Sequence, residues 1–410
     1  MATAELRPFH LLAKPTGAVC NLDCAYCFFL AKEELYPGSD FRMADDVLQA
    51  YLEQLVAAHR GLPEVTVAWQ GGEPTLMGLD FFRRAAALVE QAVEPGQQVL
   101  HTIQTNATKL DPEWAAFFAE HGFLVGVSID GPQAMHDAYR VTKGGRGSFA
   151  RVMQGLGALR DAEVEWNALT TVHAANAEHP LEVYRFLRDD CGAQFMQFIP
   201  IVEPAEDRSV TGEQYGRFLI SVFEEWVRRD IGEVFVQMFD VALANWFGEP
   251  PSLCVHSETC GRALALEHTG DVYSCDHYVE PGYLLGNIAE QSLAELVELP
   301  RQVAFGRAKR DTLPSQCVTC DVRFACHGGC PKDRVLTTPA GEPGLNWLCD
   351  GYQAFFRHID APMREMAGLL RAGRPPSDLS AAYAAADLRR GRNEPCPCGS
   401  RRKWKTCHGT

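Results

Sequence analysis

Cys20-Asn21-Leu22-Asp23-Cys24-Ala25-Tyr26-Cys27 comes shortly after the apolar run 11–13, and one β-like run later stands Gln70-Gly71-Gly72-Glu73-Pro74. Three thiolates in a C-x3-C-x2-C array can hold a four-iron cluster and leave one iron open to a small chelating molecule. On this array alone, a zinc site or structural cysteines remain open readings. Glycines after a strand let a backbone close on a ligand, and Glu73 offers a carboxylate to an ammonium. A plain turn is the competing reading of that second segment.

Working outward, β-like runs at 11–13, 65–69, 99–105, 124–129, 169–172 and 195–199 alternate with helical patterns at 44–59, 79–93, 112–120, 148–159 and 180–188. Six βα units predict an α/β fold, a partial (β/α)6 TIM-type barrel whose chemistry sits on loops at the strand C-terminal ends. Polar residues gather there: Gln104-Thr105-Asn106, Ser128-Ile129-Asp130-Gly131-Pro132, Arg140, and Gln197-Phe198-Ile199-Pro200 with Val202 beyond. His136 and Asp137 suit helix capping. Helical patterns follow at 212–229 and 234–246. The stretch 254–349 is loop-rich and cysteine-dense, with a hairpin expected at 263–267 and 272–274. A closing helix is expected over 354–370. The expected domains are 1–235, 236–370, a linker 371–390 rich in chain breakers, and a small unit 391–410.

Composition narrows the classes. The 410 residues carry a formal net charge of -15, against a generic nucleic-acid binder. No apolar stretch is long enough to span a bilayer, and Met1 to His10 lacks the apolar core of a secretory signal. A cytoplasmic protein is expected. Its 15 cysteines fall mostly into short clusters, which suit metal or catalytic use better than disulfides.

With Tyr26 before the third cysteine and the Gly71-Gly72-Glu73-Pro74 segment one strand later, the first half resembles the radical S-adenosylmethionine (SAM) superfamily. The resemblance implies a 4Fe-4S cluster on Cys20, Cys24 and Cys27, with SAM chelating the open iron and yielding a 5'-deoxyadenosyl radical. It also implies SAM contacts from Tyr26, Gln70, Gly71, Gly72, Glu73, Asn106, Ser128, Arg140 and Val202. The cofactor carries the hard chemistry and the protein positions it.

Downstream, the array Cys317-x2-Cys320-x5-Cys326-x3-Cys330 and Cys349 resemble the SPASM auxiliary-cluster domain. By that pattern Cys254, Cys260, Cys275 and Cys330 hold one further 4Fe-4S cluster, and Cys317, Cys320, Cys326 and Cys349 another. Two zinc sites are the rival. Within this superfamily, Gly270 to Val279, Gly286-Asn287-Ile288, Gln70 to Leu76 and Phe123 to Pro132 resemble the anaerobic sulfatase-maturating enzymes. These oxidise a cysteine or serine of a sulfatase precursor to Cα-formylglycine. Asp276 then matches the base that takes the thiol or hydroxyl proton after hydrogen abstraction. A carboxylate with a raised pKa in a dry pocket is expected. One departure is Phe28-Phe29, where these enzymes often have Phe-Tyr, the tyrosine being thought to contact substrate.

The end of the chain, with Cys396, Cys398, Cys407 and His408, resembles the SEC-C motif and implies structural zinc. The cysteines left over reduce to Cys191, read as a core residue. The implied partners are a protein or peptide substrate and a low-potential flavodoxin or ferredoxin. The competing functions are a SPASM maturase that forms thioethers or crosslinks in ribosomal peptides, and a zinc-binding interaction protein with no chemistry.

Overall fold

The structure, a computed structural model, describes residues 8–409, so the reading of 1–7 as lacking a signal lies outside the described residues. Its main strands are β1 (His10–Lys14), β2 (Glu64–Trp69), β3 (Gln98–Thr105), β4 (Phe123–Ser128), β5 (Trp166–Val172), β6 (Phe195–Pro200), β7 (Phe235–Val236), β8 (Ala263–Glu267), β9 (Asp271–Tyr273) and β10 (Leu284–Asn287). The chain forms two compact units: residues up to 129 with His136–Asn167 and Cys260–Ala308, and Asp130–Met135 with Ala168–Thr259 and 309–410.

In the first unit, β1, β2, β3 and β4 pair in parallel in chain order. The helices Asp45–Ala58, Leu79–Ala92 and Pro112–Glu120 follow the first three. Trp69, the last residue of β2, is buried edge-on among Tyr51, Phe81 and Phe82 at 5.5–5.6 Å. This aromatic knot fixes the strand end from which Gln70–Glu73 departs. Such a ring is worth about 3–5 kcal/mol against alanine. On the other edge of β1 lies β8, also parallel, with Ala13 opposite Leu266 and Lys14 opposite Glu267. The expected hairpin forms as β8 and β9, and β10 closes its edge.

The second unit carries β5, β6 and β7 in parallel. The helical pattern at 234–246 begins later than expected, at Gln237, because Phe235–Val236 pairs with β6 instead. The pattern at 180–188 is α-helical only to Arg185. It continues as a π turn over Phe186–Asp190, closed by Cys191 N–H donating to the Phe186 carbonyl at 3.0 Å. Cys191 is buried there, as expected. Thr211 and Gln214 form a capping box that starts the helix Gly212–Arg229. That helix crosses Cys349–Arg371 where Gly216 meets Gly351, so that a Cβ on Gly216 would lie 2.7 Å from Gly351 Cα. Phe223, Phe239 and Phe355 pack alongside at 5.2–6.5 Å.

Candidate active site

The first unit brings the two leading motifs together through their backbones. Gly72 N–H donates to the Gly17 carbonyl at 2.8 Å and Glu73 N–H to that of Val19 at 2.9 Å. A Cβ on Gly72 would lie 2.0 Å from Val19 O, so only glycine permits this approach one residue before Cys20. The cysteine loop is also fastened on its far side. Asp23 N–H donates to Val141 O at 2.8 Å and Ala25 N–H to Tyr139 O at 3.0 Å. The Arg140 guanidinium lies over the Tyr26 ring at 5.4 Å.

Glu73 is fully buried and accepts four hydrogen bonds. Oε1 takes Thr75 N–H (3.0 Å), the Thr75 hydroxyl (2.6 Å) and the Thr105 hydroxyl (2.7 Å); Oε2 takes Asn106 N–H (2.8 Å). Burial still outweighs these bonds and holds its carboxyl above the usual range. Most of its acceptor capacity is thus spent inside the chain, with room left on Oε2. Asn106 is similarly engaged. Its amide donates to Asn21 Oδ1 at 2.9 Å and reaches Cys20 Sγ at 3.6 Å, orienting the first thiol. Ser128 is buried at the end of β4, and Val202 is half-buried just beyond β6 in the second unit. His136 and Asp137 are structural. His136 Nε2 lies 2.9 Å from the Ser148 hydroxyl, and Asp137 accepts from Phe149 N–H at 2.9 Å, at the start of the helix Phe149–Asp161.

The residues fit an iron–sulfur cluster. Burial pushes the Cys20 thiol up to about 12, and Glu73, Cys24 and Cys27 add negative charge in the same direction. Thiolates crowded in this way need a cationic core to hold them ionised.

Asp276 is reached from both strands of the β1–β8 pair. Lys14 ends β1. The β8–β9 hairpin delivers Cys275 and then Asp276, which opens a short 3-10 turn, Asp276–Tyr278. Lys14 Nζ forms an ion pair with Asp276 Oδ1. The same ammonium stands 4.0 Å over the Phe29 ring. The Lys14 side chain is 2% exposed and that of Asp276 19%. Burial alone would raise the Asp276 carboxyl, but Lys14, and after it His277, outweigh burial and hold it below the usual carboxylate range. This corrects the expectation of a raised pKa: the pocket is not free of charge, because a lysine shares it. The ammonium favours the ionised form of the carboxylate.

The remaining cysteines are divided between the two units. In the first, Gln302 donates to Gly261 O (2.8 Å) and Ser274 O (3.0 Å), bracing the neighbours of Cys260 and Cys275. In the second, the buried Lys309 ammonium donates to Cys254 O at 2.8 Å and Val255 O at 2.9 Å, and also to Ser257 O. Cys317, Cys320, Cys326 and Cys349 line one cavity with Asn346 and Gln353. The Gln353 amide donates to Cys349 Sγ at 3.4 Å, and burial pushes the Cys326 thiol up to about 12 and that of Cys349 to about 11. Four thiols around one cavity suit a fully ligated cluster. Cys330 lies close enough to Cys254 to feel its charge.

At the tail, the ligand atoms of Cys396, Cys398, Cys407 and His408 all lie within 4.8 Å of one another and are buried. His408 Nε2 lies 2.8 Å from Ser221 O, which fixes the ring so that Nδ1 faces Cys396 Sγ at 3.0 Å. The set fits tetrahedral zinc. Lys14, Gln302 and Lys309 escaped the sequence reading. The only available signal was a lone lysine ending an apolar strand where the chemistry loops begin.

Comparison with known proteins matches this geometry. Family models match residues 15–187 (Radical SAM superfamily), 254–321 (SPASM, iron-sulfur cluster-binding domain) and 392–410 (SEC-C motif). A serine-type anaerobic sulfatase-maturating enzyme of Bacteroides thetaiotaomicron is 42% identical, over 93% of this chain and 97% of its own length. A cysteine-type enzyme of Clostridium perfringens strain 13 is 30% identical, over 86% and 96%. The solved structure of native anSMEcpe with bound AdoMet and Cp18Cys peptide superposes with a TM-score of 0.80 at 30% identity, covering 89% of this chain and all of that one. Streptococcus suis SuiB, at 15% identity and a TM-score of 0.59, shares the fold. Among the described residues no helix is long and apolar enough to cross a membrane. The α/β fold, the radical SAM and SPASM domains and the end-to-end relatives together place this chain in the family of anaerobic sulfatase-maturating enzymes.

Proposed function

We propose that this enzyme oxidises a serine side chain of a sulfatase precursor to Cα-formylglycine, with cysteine as the alternative substrate and Asp276 as the proton acceptor. The observation that carries the reading is the Asp276 carboxylate beside Cys275, partly exposed and paired with Lys14. Serine is placed first because the serine-type relatives are 36–42% identical to this chain and the cysteine-type relatives 30–31%. When bound, SAM and the 4Fe-4S clusters supply the radical that removes a hydrogen atom from the substrate Cβ and an acceptor for the electron released afterwards. The chain's own part is to present the residue, exclude competing solvent, and take the hydroxyl or thiol proton on Asp276. Tyr26, Gln70, Gly71, Gly72, Glu73, Asn106, Ser128, Arg140 and Val202 are the candidate SAM contacts. Zn2+ on the tail, a flavodoxin or ferredoxin donor and a cytoplasmic setting belong to the same reading.

The test is an anaerobic assay of reconstituted enzyme with SAM, reductant and a Cys-x-Pro-x-Arg peptide, run beside its serine counterpart. An aldehyde on the peptide, formed far more slowly by Asp276→Asn while 5'-deoxyadenosine still forms, supports the reading. SAM cleavage with no aldehyde on either peptide would move the enzyme to another peptide chemistry.

A further inference from the structure

We propose that Lys14 is the positioning residue of the proton acceptor, and that Phe29 is the platform that aims it. This rests on Asp276 being that acceptor.

A lysine as buried as Lys14 is rare unless paired. Among the described residues its ammonium meets the Asp276 carboxylate and the face of Phe29. A buried ion pair pays a desolvation cost that its attraction scarcely repays, so it is weak evidence for a purely stabilising role. Its location points elsewhere. Lys14 is the last residue of β1, at the strand end where the cysteine loop begins, and Asp276 follows a cysteine on the hairpin paired to β1. The 3-10 turn Asp276–Tyr278 has no side-chain cap of its own. The ammonium paired with the carboxylate comes from the end of β1. Phe29 carries no hydroxyl, so its ring offers only a face to the ammonium, and cation–π attraction holds Nζ where the carboxylate meets it. In the reaction the proton passes from the substrate oxygen or sulfur to an Asp276 oxygen. Lys14 forms no bond to substrate and fixes the direction from which the proton is received.

The experiment measures 5'-deoxyadenosine and peptide aldehyde separately on the holoenzyme, for Lys14→Met, Lys14→Arg, Asp276→Asn and the Lys14→Met/Asp276→Asn pair. A misplaced acceptor predicts that Lys14→Met keeps iron content, SAM cleavage and peptide KM, while kcat for aldehyde falls up to about 100-fold. Lys14→Arg restores part of it, and the double variant is no slower than Asp276→Asn. Wild-type kcat in Lys14→Met, or a loss that adds fully to that of Asp276→Asn, overturns the proposal. Undiminished aldehyde formation in Asp276→Asn instead overturns the acceptor itself, and with it the positioning role. Should Lys14→Met fail to hold iron, Phe29→Leu decides: it retains the charge without the platform, a several-fold lower kcat at unchanged KM is expected, and an unchanged kcat refutes the proposal.

Discussion

A single methyl group tests the join between the two leading motifs. Gly72→Ala would set Cβ 2.0 Å from the Val19 carbonyl oxygen, so the backbone leading to Cys20 must move. Iron bound at the first cluster should fall sharply, as read by iron per chain after anaerobic reconstitution. Gly157→Ala, on the helix Phe149–Asp161 with nothing near its Cβ, should keep its iron and gain about 0.5–1 kcal/mol. His101 offers a test of acid sensitivity. It lies on β3, 6% exposed, stacked on Phe123 at 4.7 Å, and burial, helped by His121, brings its pKa down to about 4. The unfolded chain takes up this proton near pH 6.5 and the folded chain does not. Stability is therefore complete above about pH 6.5 and falls toward pH 4, by on the order of 3 kcal/mol. His101→Leu should flatten that limb in urea unfolding at about pH 5 compared with about pH 7.5.

Among the elements, the crossing of Gly212–Arg229 with Cys349–Arg371 carries the most demanding contact. A Cβ on Gly351 would lie 1.9 Å from Gly212 O, two residues after Cys349, which lines the four-thiol cavity. Gly351→Ala should cost about 1–3 kcal/mol through overpacking and lower auxiliary iron content. Gly368→Ala on the same helix meets nothing within 4 Å and should stabilise slightly in a thermal melt. The same crossing shows what the sequence could and could not convey. Local periodicity placed the parallel strands, the hairpin at 263–267 and 272–274 (one residue off the observed second strand), and the helix Gly212–Arg229, because each is decided by side chains a few residues apart. The pairing of β8 with β1 joins residues some 250 apart, and nothing local announces it. Lys14 therefore went unread, and Asp276 was expected as a carboxylate with a raised pKa in a dry pocket. Motif spacing marked Cys20, Glu73 and Cys326, but not the Gln302 and Lys309 side chains that brace the later cysteine loops.

At the scale of the whole molecule, the tail is fastened to a helix of its own unit. His408 reaches Ser221 O, Arg229 donates to His408 O at 3.2 Å, and Arg228 lies over Trp404 at 5.4 Å while pairing with Asp387 and Glu224. Glu224 in turn meets His358 at 2.7 Å on the helix that starts with Cys349. Zinc removal or Cys398→Ser should therefore speed hydrogen exchange around Ser221 in Gly212–Arg229. Charge reversal of the exposed Arg401, Arg402 and Lys403 should not. The most direct test of the account as a whole is the anaerobic assay with the serine peptide, comparing the wild-type enzyme with Asp276→Asn and following 5'-deoxyadenosine and peptide mass together. A wild-type peptide lighter by two hydrogens and reactive as an aldehyde is expected, with the variant cleaving SAM but oxidising the peptide far more slowly. Aldehyde formed equally by both enzymes would contradict it.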